Sequence, residues 1–135
     1  MNDACRSPIW RSAGRLAGAC VLFCAMLSGC GGAIEYQPQQ WHGMNVIVES
    51  RPNPPREGMN EFLVTITDKH GRPGFDMIVS LRASEHDPWT QAIQDGQMGV
   101  YRRAVKVDPA TDKVLEVQLE ANGKADVLDF PFAPR

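Results

Sequence analysis

Residues 60–74, NEFLVTITDKHGRPG, contain an alternating apolar run that leads directly into a turn. Phe62, Val64 and Ile66 fall on one side of a period of two, and β-branched side chains are frequent in the run. The segment that follows combines two glycines with Pro73, which are typical turn residues. This pattern predicts a half-buried β-strand that ends in a tight turn.

Short alternating segments of the same kind lie on both sides of this strand. They are separated by turn signals, among them Asn122-Gly123, a strong indicator of a β-hairpin. We therefore expect an all-β chain, an immunoglobulin-like antiparallel β-sandwich of six to seven strands, after a helical signal segment. The predicted strands cover residues 44–49, 61–67, 77–82, 89–93, 98–107, 114–119 and 127–132.

One side of each predicted strand carries the apolar residues that a sandwich would bury between its sheets. Pro131 cannot donate to a ladder on its own N–H, which places the last strand at the edge of a sheet. The predicted core consists of Val46, Val48, Phe62, Val64, Ile66, Met77, Val79, Leu81, Tyr101, Val105, Leu115, Val117, Leu119, Leu128 and Phe130.

The N-terminal residues 1–29 have the parts of a secretory signal. Three arginines precede the apolar run LAGACVLFCAML, residues 16–27, which is shorter than the roughly 20 residues that span a bilayer. Leu27-Ser28-Gly29-Cys30 resembles the cleavage motif of bacterial lipoproteins, in which the cysteine is lipid-modified and becomes the new N-terminus. One alternative is an uncleaved N-terminal anchor, which the short apolar run disfavours. Another is a cleaved signal without lipid, which the cysteine after Ser28-Gly29 disfavours.

This interpretation divides the chain into three parts. Residues 1–29 form a lipoprotein signal peptide, residues 30–42 contain the lipidated Cys30 and a flexible tether, and residues 43–135 form the β-sandwich domain. We expect a protein of the cell envelope that is held at a membrane by acylated Cys30 and faces the periplasm. Gly31 after the cysteine favours the outer membrane, by resemblance to Gram-negative lipoproteins.

Removal of the signal changes both the cysteine content and the charge of the chain. Three of the four cysteines lie in the signal and Cys30 carries lipid, so no thiol remains for a disulfide or a thiolate metal site. Loss of three arginines and one aspartate leaves 11 basic and 15 acidic residues, a net charge of about −4. An acidic domain without a basic patch does not fit nucleic-acid binding.

Two short motifs resemble a known group of exported domains. Residues 58–73, GMNEFLVTITDKHGRP, and the later Gly99-Val100-Tyr101 resemble the corresponding strand-and-turn and G-x-Y motifs of the YtkA-like and FixH-like β-sandwich domains. The resemblance implies a β-sandwich and, for some members, a copper-related role. Residues 112–115, DKVL, depart from the Gly-x-Trp that often occurs there, and residues 83–98 offer only His86 and Met98 as soft ligands.

Thioether and imidazole side chains are the one chemically suggestive set in the mature chain, because soft ligands select Cu(I). Met77 and Met44 share strand faces with core residues, which favours a packing role for both. The sequence contains no His-x-His or Met-x-x-Met motif. The candidate ligands are His42, Met44, Met59, His86 and Met98.

We expect a non-enzymatic accessory protein that binds an envelope protein partner through a loop end or a sheet edge. A periplasmic copper-binding or copper-delivery module is the alternative. Glu85-His86-Asp87 contains residue types used in catalysis, but neighbouring loop residues rarely converge on one substrate, and Asp87-Pro88 is typical of a turn. The sequence therefore favours binding over catalysis.

Overall fold

A computed structural model of the chain describes residues 32–97 and 99–132. Within these residues nine β-strands form two antiparallel sheets, which confirms the predicted immunoglobulin-like β-sandwich. In this part of the chain no helix is long and apolar enough to cross a membrane. The predicted signal segment 1–29 and Cys30 lie outside the described residues.

The two sheets contain five and four strands. The first has the order β1-β2-β3-β7-β6 and the second the order β5-β4-β8-β9, so β9 is an edge strand, as Pro131 predicted. The strands are β1 (Gln39–Trp41), β2 (Met44–Arg51), β3 (Gly58–Asp68), β4 (Ile78–Arg82), β5 (Thr90–Gln91), β6 (Ile93–Gln94), β7 (Val100–Val107), β8 (Val114–Ala121) and β9 (Lys124–Pro131).

The core lies between the sheets and is built around β3. Val64 pairs with Val48 of β2 on one side and with Tyr101 of β7 on the other, so the inner face of β3 is enclosed. All predicted core residues are buried except Met77 and Leu128, which are partly buried and pack against the core. The alternation of apolar residues therefore identified the inner faces correctly.

The folded domain begins earlier than the sequence predicted. Residues 30–42 were expected to form a tether, but Tyr36 and Trp41 are each only 6% exposed and Gln39–Trp41 form β1. A two-residue turn of His42 (φ 47°) and Gly43 (φ 81°) connects β1 to β2. Two positive φ values are the geometry of a type I′ hairpin, whose twist matches that of the paired strands.

The expected edge strand at residues 89–93 is divided between the two sheets. β5 pairs with β4 in the second sheet, whereas β6 pairs with β7 in the first. Ala92 lies between them, is 6% exposed, and donates its N–H to the Val79 carbonyl over 2.7 Å. The one strand predicted here is therefore two strands, β5 and β6, in the structure. Together with the unpredicted β1, this division gives nine strands in the described residues instead of six or seven.

The turns between strands collect at two opposite ends of the sandwich. The end that carries the turns 42–43, 68–74 and 122–123 is called the cleft end below. The opposite end carries the Pro-rich loop 52–57 and the turn 108–113, and is called the tether end because the described chain enters the fold there. The strand registers place these groups at opposite strand termini.

Candidate functional site

An open cleft of about 530 Å³ lies at the cleft end of the sandwich. Three segments that are distant in sequence enclose it: the turn that follows β1, the loop between β3 and β4, and the turn between β8 and β9. Its floor is apolar and its rim carries charged groups. The lining residues are Trp41, His42, Met44, Asp68, Arg72, Pro73, Gly74, Phe75, Met77, Ala121, Asn122 and Lys124.

One carboxylate oxygen joins the first and third of these segments. Asp126 Oδ2 accepts a hydrogen bond from Trp41 Nε1 over 2.8 Å and lies 2.9 Å from His42 Nε2. The bond from Trp41, and then that from His42, lowers the pKa of the Asp126 carboxyl below its ordinary value. The contact fixes the His42 ring at the edge of the cleft and links β1 of one sheet to β9 of the other.

A second carboxylate organises the turn that forms the opposite wall. Asp68 Oδ1 accepts hydrogen bonds from the backbone N–H groups of His70 and Arg72, and Asp68 Oδ2 pairs with the Arg72 guanidinium over 2.7 Å. The bond from the Arg72 backbone is the leading cause that lowers the pKa of Asp68 to about 2. His70 is exposed on this turn and does not line the cleft.

Two thioether side chains form the centre of the floor. A methyl group placed on Gly74 would lie 2.8 Å from Met77 Cε and 3.0 Å from Met44 Cε, so the two methionines end side by side above this glycine. Both are partly buried and pack against the core. Phe75 follows Gly74 and is 51% exposed, which is unusual for a large aromatic side chain.

The floor is supported from behind by the residues that carry the family resemblance. Gly74 N–H donates to the Ile66 carbonyl over 2.9 Å, and Ile66 N–H donates to the Gly99 carbonyl over 2.8 Å. The Tyr101 hydroxyl donates to the Gly74 carbonyl over 3.4 Å. The strand-and-turn motif and the G-x-Y motif therefore meet each other directly behind the cleft, where they hold its backbone in place.

Of the four predicted metal ligands that the structure describes, two line the cleft, His42 and Met44, and Met77 joins them there. Met59 lies nine residues before Asp68 on β3, roughly 30 Å along the strand, and is 65% exposed. His86 is exposed in the turn after β4 at the tether end, so these residues do not form one site.

Met98 lies outside the described residues. Over residues 32–97 and 99–132, no group of three or more histidine, cysteine, aspartate or glutamate side chains is placed to hold a metal ion. A metal in the cleft would therefore depend on the thioethers in addition to His42.

Sequence reasoning did not identify Phe75 and Met77 as cleft residues, or Asp126 as the group that joins two of its walls. Asp126 is 84 residues from His42, and only the packing of the two sheets against each other brings these side chains together. Phe75 offered one signal, since a lone aromatic after a Pro-Gly turn interrupts an otherwise polar loop.

No family model, curated protein or solved structure matches the chain.

Proposed function

We propose that this chain is a lipid-anchored protein of the cell envelope that binds a partner protein at the cleft and catalyses no reaction. The observation that carries the proposal is the exposed apolar surface of the cleft. Phe75 stands half-exposed beside two methionines, in a concave site of about 530 Å³. Aromatic and thioether side chains in a concave surface are common anchors of protein interfaces.

The electrostatics of the cleft support binding over acid–base catalysis. Both carboxylates are engaged in hydrogen bonds that hold the walls, Asp126 with Trp41 and Asp68 with the following turn. The pKa of each is lowered, whereas a general acid or base at neutral pH requires a pKa near 7. These charged groups are thus arranged to keep the shape of the cleft.

Site-specific photocrosslinking tests the proposal in cells. A photoreactive phenylalanine analogue at Phe75 is expected to capture a discrete envelope protein. The matched control carries the same analogue at Ile93, which is also exposed (62%) but lies on β6 outside the cleft. Capture of the same proteins from both positions, or of none from Phe75, would refute binding at the cleft.

The anchor is tested separately by the modification of Cys30. Cys30→Ala is expected to abolish lipid attachment and processing, so the variant should run at precursor size. A Cys30→Ala protein that partitions with membranes and runs at mature size would refute the proposed signal. This experiment does not depend on the cleft, so the two parts of the proposal fail independently.

Binding of Cu(I) is the second candidate function, because Met44, Met77 and His42 line one cleft. When His42 donates its Nε2 proton to Asp126, its Nδ1 atom carries the lone pair that a metal would bind. A carboxylate that orients the imidazole in this way is usual behind a histidine ligand. Two thioethers and one imidazole suit Cu(I) better than harder metals.

Titration of the chain from residue 30, with Cys30→Ser to remove the thiol, against a competing Cu(I) chelator tests this second function. A Met44→Leu, Met77→Leu double variant should lose the affinity and keep the fold, since leucine replaces methionine with little change of volume. Met59→Leu, outside the cleft, is the control. Equal affinity in all three proteins would exclude the cleft as a copper site.

A further inference from the structure

We infer that the anchored domain stands with its tether end against the membrane surface and its cleft end facing away from it. This inference rests on the proposed lipid anchor at Cys30, and it adds the direction from which the partner reaches the cleft. It follows from how soon after Cys30 the chain becomes part of the fold.

Among residues 32–97 and 99–132, the first side-chain hydrogen bonds that attach the incoming chain to the domain are at Ile34. Its backbone N–H donates to Asn53 Oδ1 over 2.7 Å, and its carbonyl accepts from Asn53 Nδ2 over 2.8 Å. Asn53 lies in the Pro-rich loop that follows β2, at the tether end. One amide side chain thus satisfies both backbone groups of Ile34, as a neighbouring strand would do.

Further attachments follow within a few residues. Tyr36 is 6% exposed and its hydroxyl lies 3.3 Å from Ser50 Oγ. Gln39 Nε2 donates to the Asp129 carbonyl over 2.6 Å, which joins the incoming chain to β9 of the other sheet. From Ile34 to Trp41 the chain runs along the side of the sandwich as a part of it, so it cannot serve as a spacer.

The free length between lipid and domain is therefore short. Ile34 is the fourth residue after Cys30 in the sequence. A fully extended chain of that length reaches at most about 14 Å. The 11 residues of β3 extend from the tether end to the cleft end, roughly 36 Å. Because the tether is shorter than the domain, the domain cannot turn over to bring its cleft end to the lipid.

The surface at the tether end indicates that tether length, rather than charge, sets this orientation. The loops there carry both signs, with Arg56 and Lys113 beside Glu57 and Asp108, all exposed. A surface of mixed charge has little preference for anionic lipid. We therefore expect the orientation to be the same on neutral and on anionic vesicles.

Quenching by nitroxide-headgroup lipids measures the orientation directly. In the lipidated protein the Cys30 thiol is consumed, so a single introduced cysteine carries the fluorophore. Thr111→Cys labels the tether end and Ala125→Cys labels the cleft end; both sites are exposed and both changes are small. In vesicles of phosphatidylcholine, with and without phosphatidylglycerol, the label at residue 111 should be quenched more strongly than the label at residue 125.

A longer tether provides the control. Twenty Gly-Ser residues inserted between Gly32 and Ala33 give a free segment with a mean span of about 27 Å, and the two labels should then be quenched almost equally. Equal quenching at the natural length, or stronger quenching at residue 125, would overturn the orientation while leaving the anchor intact. A wild-type chain recovered only in the soluble fraction would overturn the proposed anchor and this inference with it.

Discussion

Replacement of Gly99 by alanine should destabilise the domain through contacts behind the cleft. Gly99 has φ +79°, a conformation that residues with a side chain adopt at a cost. A Cβ at this position would also lie 2.7 Å from the Ile66 carbonyl oxygen and 2.7 Å from Pro73 Cβ. Real Cβ atoms essentially never approach that closely, and neither neighbour is the mobile end of a flexible side chain.

The two effects can be given separate magnitudes. The left-handed backbone costs alanine about 1 kcal/mol relative to glycine. Overpacking against atoms that cannot move aside costs a further ~1–3 kcal/mol. The free energy of unfolding should therefore fall by about 3 kcal/mol in Gly99→Ala, and for a domain of this size the melting temperature should fall by more than about 10 °C.

Gly123→Ala separates the steric effect from the backbone effect. Gly123 has nearly the same φ, +73°, but a Cβ there would meet nothing within 4 Å. We expect this variant to lose about 1 kcal/mol. Thermal and urea unfolding, followed by circular dichroism on the chain from residue 30 with Cys30→Ser, give both values. Equal losses in the two variants would show that the contact with Pro73 has no steric consequence.

Three further outcomes are expected. Asn60→Ala should lower the free energy of unfolding by about 2 kcal/mol, because the buried amide (1% exposed) makes two hydrogen bonds to the Arg56 backbone in the preceding loop and one to the Gly58 carbonyl, and its removal leaves these backbone groups unsatisfied. A urea unfolding curve that matches wild type would contradict this. The folded-state pKa of Asp68, about 2, is below the ordinary 3.8, so the ionised carboxylate stabilises the fold above pH 3.8 and this contribution is lost as the pH falls to about 2. Asp68→Asn should therefore flatten the pH dependence of the free energy of unfolding between pH 3.8 and about 2. An unchanged slope in this window would refute the assignment. Trp41→Phe should raise the pKa of Asp126 towards its ordinary value, since the hydrogen bond from the Trp41 indole to the Asp126 carboxylate is the main cause of the lowered pKa. NMR titration of the Asp126 carboxyl measures this change, and an unchanged pKa would exclude the hydrogen bond in solution.

The inner faces of the long strands were predictable because alternation depends only on local spacing. Each strand carries its own period of two, so the buried side of one strand can be assigned without knowing which strand pairs with it. Val64 on β3 and Val117 on β8 lie in different sheets, and both are fully buried. The period within each strand was therefore sufficient to place the core.

The beginning of the domain was not predictable in the same way. Residues 31–40, GGAIEYQPQQ, show no alternation, so nothing local distinguishes β1 and the attached Tyr36 from a linker. Their order comes from partners that are distant in sequence, such as Asn53, which is 19 residues from Ile34. The cleft was not predictable for the same reason, since its walls come from segments that are distant in sequence and belong to both sheets.

The two motifs that suggested a family are explained by their contact with each other. The proline of the turn packs on Gly99, and the hydroxyl of Tyr101 donates to the carbonyl of Gly74. This packing leaves no room for a Cβ at Gly99 and includes the Tyr101 hydroxyl, whatever the cleft binds. The motifs therefore specify the backbone behind the cleft, whereas Phe75 and His42 line the cleft in front of it, where the proposed partner would bind. A change at Phe75 should thus alter binding with little effect on stability, and a change at Gly99 should do the reverse.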